Sequence, residues 1–175
     1  LEGYRFDGPE SHAAFARAIR AARAAGGRVA ITLSDPFCVE RHRDAFLAMV
    51  EHHVDILFAN EDEILSLYQT DSFDEAAQRV RRHGAIAALT RSEKGSVIVT
   101  EDDLIEVAAH PIDELVDTTG AGDLYAAGFL FGYSRGMDLA ICGELGSLAA
   151  AEVISHVGAR PQADLAELAA GLLGG

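Results

Sequence analysis

The residues best suited to chemistry run from Asp117 to Asp123, as Asp117-Thr118-Thr119-Gly120-Ala121-Gly122-Asp123. The apolar helical pattern Leu124-Tyr125-Ala126-Ala127-Gly128-Phe129-Leu130 follows at once. Two glycines around an alanine let the backbone turn tightly into a helix and aim several N–H groups at one point. The first amides of a helix lack intrahelical acceptors, and the macrodipole adds positive character, so such a turn binds anions. Asp123 at that point is a poor phosphate ligand but a good base beside one. Amide donors for a transferring group's charge, with a carboxylate to take an acceptor hydroxyl's proton, are what phosphoryl transfer needs. The same residues also suit a plain turn and cap, with Asp117 and Thr118 supplying capping oxygens. A dinucleotide-binding loop fits poorly, because its third glycine would fall at Tyr125 and Asp123 would repel a pyrophosphate. No Gly-x-x-x-x-Gly-Lys-Ser/Thr stretch occurs, so any phosphate chemistry is not of the Walker type.

The elements that must position this loop alternate between strand and helix. Phe15, Ile19, Ala22 and Ala25 have amphipathic helical spacing, ended by Gly26-Gly27. Val29 to Leu33 is an apolar run suited to a buried parallel strand. Ser34-Asp35-Pro36 opens a helix through Phe46, Met49 and Val50, and a second buried strand covers 54–58. Short helices are expected over 61–68 and 74–83, with a strand over 85–90 between the second of them and the next turn. Residues 95–100 and 104–107 predict antiparallel strands joined by the acidic turn Glu101-Asp102-Asp103. Helices are then expected at about 121–134, 137–156 and 164–173. This order implies an α/β fold with an open, mostly parallel sheet and helices on both faces. Ligands bind such sheets beyond the carboxyl ends of the strands.

A second polar cluster, Asn60-Glu61-Asp62-Glu63, sits at such a strand end. Asn60 and Glu63 have the spacing of a helix cap and its returning acid. One helical turn apart, they also suit facing phosphates and holding water on Mg²⁺, which keeps waters and takes few carboxylates. The two readings can coexist.

Composition narrows the partners. The 175 residues give the length of one domain, able to bury roughly 70% of its unfolded surface. Hydrophobic residues make up 49% of the chain, as in a packed globule. A net charge of −14 argues against nucleic acid or anionic membranes as partners. Cys38 and Cys142 lie far apart without Cys-x-x-Cys spacing, so neither a disulfide framework nor a zinc cluster is implied. No apolar run reaches membrane-spanning length, and the first residues do not read as a signal peptide; a cytoplasmic setting is expected.

The seven-residue motif, with Ala127-Gly128 after it, resembles the second signature of the pfkB carbohydrate kinase family, the ribokinase-like kinases of sugars and nucleosides. The resemblance implies a ribokinase-like three-layer α/β/α fold, with Asp123 as catalytic base and Gly120, Ala121 and Gly122 as the anion hole. It implies ATP and Mg²⁺ as cofactors. Asn60-x-x-Glu63 resembles the family's Asn-x-x-Glu motif, which gives Glu63 a magnesium role through water and Asn60 a phosphate role. Thr90-Arg91-Ser92-Glu93-Lys94-Gly95 resembles a nucleotide-contacting turn usually written Thr-x-Gly-x-x-Gly. The ATP contacts it implies are Thr90, Arg91, Ser92 and Gly95, with Gly122 from the signature. Ser92 stands where glycine is common, and serine makes the turn easily only if φ stays negative. Arg91 is better suited than Lys94 to grip phosphate, since its fork matches two oxygens. A weaker match places a monovalent cation such as K⁺ at Asp117, Thr119 and Gly158, although Asp117 could simply brace the loop.

Kinases of this family usually carry a preceding half with further strands and a lid. Residues 1–175 are therefore expected to be the C-terminal part of a single kinase domain, without the N-terminal strands and lid. Thr32-Leu33-Ser34-Asp35-Pro36-Phe37 and Val54-Asp55-Ile56-Leu57-Phe58 resemble the adenosine kinase branch. The implied activity is ATP-dependent phosphorylation of a nucleoside, adenosine to AMP first, with a small-molecule partner and a homodimer left open. A sugar kinase acting on ribose, fructose or similar, or a non-catalytic nucleotide-binding fragment, remains as an alternative.

Overall fold

Asp55 decides where the second strand begins. Its carboxylate accepts from the Val29 amide at 2.6 Å and from Arg23 at 2.8 Å, so the regular run starts after it, at Ile56. In the computed structural model, which describes residues 1–8 and 10–173, β1 is Ala30–Thr32 and β2 is Ile56–Asn60. The two are parallel, with Ala30 opposite Ile56 and Thr32 opposite Phe58. β3 (Ile86–Thr90), β4 (Ser96–Val99) and β5 (Leu104–Val107) complete a mixed, mostly parallel sheet in the order β1-β2-β3-β4-β5.

The chain divides into two compact units. The first takes in Leu1–Leu89 and Val99–Leu104. It holds α1 (Ser11–Ala24), α2 (Pro36–His52), α3 (Glu61–Tyr68) and α4 (Phe73–Arg81). Asp35 caps α2 by accepting from the Cys38 amide at 2.8 Å, and Pro36 sits in the first turn, where its missing N–H is harmless. Ile31, Leu33, Val39, Phe46, Ile56, Leu57, Ile64 and Leu67 form its core. Arg81 secures the acidic turn after β4 by donating to the carbonyls of Glu101 and Asp102, both at 2.7 Å.

The second unit takes in Thr90–Ile98 and the residues from Ile105 onward. Its centre is the pair α5 (Ala121–Ser134) and α6 (Leu139–Ile154). Both are rich in glycine and alanine, and they pack closely because of it. A Cβ on Gly128 would clash with the Leu145 carbonyl, and one on Gly146 would lie 2.8 Å from the Tyr125 carbonyl. Tyr125 itself is buried and its hydroxyl meets that of Ser96 at 2.7 Å. The last expected helix is two short ones, α7 (Leu165–Leu168) and α8 (Ala170–Leu173), separated at Ala169. The other expected elements are present, with ends displaced by a residue or two.

Candidate active site

Gly120 makes the turn into α5. It has φ +85°, in the left-handed region that disfavours side chains, and acts as N-cap without any side-chain cap. A Cβ there would also lie 2.8 Å from that of Ala159. The Ala121 amide is taken by the Thr118 carbonyl at 3.2 Å, and the helical ladder begins with the Leu124 amide on Gly120 at 2.9 Å. The amides of Gly122 and Asp123 thus belong to the first turn, which has no intrahelical acceptors to offer them. Gly122 is exposed, and nothing lies within 4 Å of where its Cβ would be. Asp123 is exposed on the same turn with no ion-pair partner among the described residues. An anion can therefore approach these amides, and a carboxylate stands free beside them.

Asp117 works on the loop itself. One oxygen accepts from the Thr119 amide at 2.9 Å and the other from the Gly158 amide at 3.0 Å. The Thr119 side chain and these amides hold its carboxyl down to about 2. Asp117 thereby joins all three residues matched to a cation, Thr119 and Gly158 through their amides.

In the turn after β3, Arg91 donates its amide to Gly95 at 2.7 Å, and Lys94 and Gly95 return amides to Arg91 and Ser92, both at 3.0 Å. Gly95 has φ +83°, and a Cβ on it would run into the Val107 carbonyl. Ser92 does not take a negative φ: its φ is +51°. The turn holds the shape a glycine would take, and serine is strained into it. Ser92→Gly is expected to raise stability by about 1 kcal/mol, since a left-handed non-glycine residue costs that order. The check is the thermal midpoint, which should rise.

Asn60 and Glu63, in the first unit, form a full capping box. The Asn60 amide donates to one Glu63 oxygen at 2.9 Å, the Asn60 side-chain amide donates to the other at 2.8 Å, and the Glu63 amide donates to Asn60 Oδ1 at 2.8 Å. Glu63 is only 5% exposed. Burial pushes its carboxyl up to about 7 against the Asn60 amide's opposing pull, with Asp35 and Asp62 pushing the same way as burial. No cation pairs with it among the described residues.

A folded carboxyl raised above its ordinary 4.5 binds its proton more tightly than the unfolded chain does. Its contribution to stability is therefore full below pH 4.5 and is lost as pH rises through about 7. Glu63→Gln should flatten that part of the curve of thermal midpoint against pH. A slope unchanged in the variant would mean that Glu63 does not carry it.

Sequence reasoning assigned no role to Phe37, yet its ring is 72% exposed in the first turn of α2. Just before that helix, Ser34 has φ +76° and its hydroxyl donates to Glu2 at 2.5 Å. An exposed aromatic ring at the start of a helix is a signal only once the structure gives its exposure. Among the described residues, no group of three or more His, Cys, Asp or Glu side chains could hold a metal ion, and no helix is long and apolar enough to cross a membrane.

Known proteins resemble this arrangement over most of the chain. The profile described as "pfkB family carbohydrate kinase" matches residues 1–165. The cytidine kinase of Thermococcus kodakarensis is 38% identical over 141 residues, covering 78% of this chain and 50% of that protein. The crystal structure of a probable sugar kinase protein from Rhizobium etli superposes with a TM-score of 0.95 at 49% identity, over 98% of this chain and 53% of that one. The adenosine kinase of Sinorhizobium meliloti gives 0.94 at 48% identity, over 97% and 52%. The chain spans about half the length of each of these proteins. With its fold, its signature loop and a family match of this extent, the chain belongs to the pfkB family of carbohydrate kinases.

Proposed function

We propose that residues 1–175 are the C-terminal part of a single ribokinase-like kinase domain, carrying the ATP site and the catalytic base. The full-length protein then transfers the γ-phosphoryl group of ATP to a hydroxyl of a nucleoside, with adenosine as first candidate. The observation that carries this reading is the start of α5, where free first-turn amides and the unpaired Asp123 carboxylate stand together. Asp123 takes the acceptor hydroxyl's proton, and the amides of Gly120 and Gly122 receive the charge of the transferring group, joined by that of Ala121 once it turns from the Thr118 carbonyl. Thr90, Arg91, Ser92 and Gly95, with Asn60, bind the remaining phosphates and nucleotide.

Glu63 suits Mg²⁺. A buried carboxylate without a cation, its pKa raised to about 7, favours a divalent ion nearby, and one carboxylate with waters is the donor set Mg²⁺ tolerates. When bound, the ion neutralises phosphate charge. Besides its effect on stability, Glu63→Gln should raise the Mg²⁺ concentration needed for half-maximal rate. Asp117, Thr119 and Gly158 are the candidate residues for K⁺.

The names of the T. kodakarensis and S. meliloti relatives favour a nucleoside acceptor, while that of the R. etli protein keeps a sugar acceptor as the second reading. Cys38 and Cys142 are free and buried, which suits a cytoplasmic enzyme. The test is ADP formation by the full-length protein across nucleosides and sugars. The expected result is turnover with a nucleoside. Efficient turnover with sugars alone would overturn the nucleoside assignment.

A further inference from the structure

Glu152 lies near the end of α6 and has no part in the chemistry proposed above. Its side chain is 8% exposed. One oxygen, Oε1, accepts three contacts: the amides of Gln162 and Ala163, both at 2.8 Å, and His156 Nε2 at 3.2 Å. The other, Oε2, is buried and has no hydrogen-bond partner. The three contacts lie at the two ends of one loop, 156–163. Between those ends, Gly158 donates its amide to Asp117, and Ala159 packs where a Cβ on Gly120 would be.

We infer that Glu152 is a positioning residue for phosphoryl transfer: by closing the loop 156–163 at both ends, it seats Gly158 and Ala159 against Asp117 and Gly120 and so fixes the first turn of α5. The inference rests on the kinase reading, but the clamp can be tested apart from it. A carboxylate that served only to pair charge would spend its bonds on charged side chains, and the one ionisable partner here, His156, makes the longest of the three contacts. Here one oxygen does all the work, and its partners are mainly backbone amides of a loop with no regular structure. Such a loop has little else to hold its shape, and a shift of about 1 Å at the anion hole costs roughly 10²-fold in rate.

Three variants of the full-length protein test this. Glu152→Ala removes the clamp. Glu152→Gln keeps an Oε1 acceptor and replaces only the unpartnered oxygen. Glu152→Asp keeps the charge but draws the acceptor back by one methylene. The expected result is a kcat lowered roughly 10²-fold in Glu152→Ala, with acceptor KM within a few-fold, and near wild-type kcat in Glu152→Gln. Hydrogen exchange at the Thr119 and Gly158 amides should accelerate in Glu152→Ala and stay slow in Glu152→Gln. Should Glu152→Ala fail to fold, Glu152→Asp is expected to show the same two changes in smaller measure. A purely structural role would lower the thermal midpoint but leave kcat per folded molecule and the exchange of those two amides unchanged, and this outcome overturns the inference. If the wild-type protein transfers no phosphoryl group, the kinase reading fails, and the exchange rates alone still decide whether Glu152 holds the loop.

Discussion

Asp123→Asn in the full-length protein should lower kcat by about 10²–10⁴-fold while ATP affinity stays within a few-fold, since that is what losing a general base costs. Asparagine keeps the size and polarity of the side chain and takes away its ability to accept a proton. The residue is exposed on the first turn of α5 and pairs with no cation among the described residues, so its removal unbalances no ion pair. The fold should be indifferent to the change. Steady-state kinetics with a matched thermal melt separate the two effects. A kcat near wild type would remove Asp123 from the base role.

The two glycines beside it should respond very differently to the same substitution. Gly120→Ala places a side chain on a backbone with φ +85° and 2.8 Å from Ala159 Cβ. The left-handed backbone alone costs about 1–2 kcal/mol, and the clash with the 156–163 loop adds to it. Both stability and rate should fall. Gly122→Ala meets nothing within 4 Å and has an ordinary helical backbone, so the thermal midpoint should hold or rise slightly. If phosphate approaches the first-turn amides, a methyl group at Gly122 intrudes on that approach and weakens ATP binding without unfolding anything. Melting curves and ATP titrations of the two variants check this. Equal losses of stability in both would contradict the assigned turn geometry.

Sequence alone reaches furthest where a residue type does local backbone work. The start of α5 at Ala121 and the capping box of α3 follow from Gly120, Asn60 and Glu63, whose effects act within a turn of where they stand. Ser92 shows the limit of that logic. A preference for negative φ is a matter of about 1–2 kcal/mol, and the hydrogen bonds that close the Arg91–Gly95 turn outweigh it. The beginning of β2 was hidden because Asp55, within an apolar run, spends its carboxylate on Val29 and Arg23. Asp117 was ambiguous between brace and ligand, because that depends on Gly158, far along the chain. Glu152 gave no signal at all. Its partners are backbone amides, and amides belong to every residue, so no residue type marks the contact.

ATP carrying isotope in its γ-phosphoryl group separates transfer to an acceptor from simple hydrolysis. The full-length protein is incubated with that ATP, Mg²⁺ and a nucleoside, and the products are separated. Label is expected on the nucleoside product in the wild type, dependent on the nucleoside, and lost by about 10²–10⁴-fold in rate in Asp123→Asn. Label released only as inorganic phosphate, or transferred equally well by Asp123→Asn, would rule out a nucleoside kinase with Asp123 as its base.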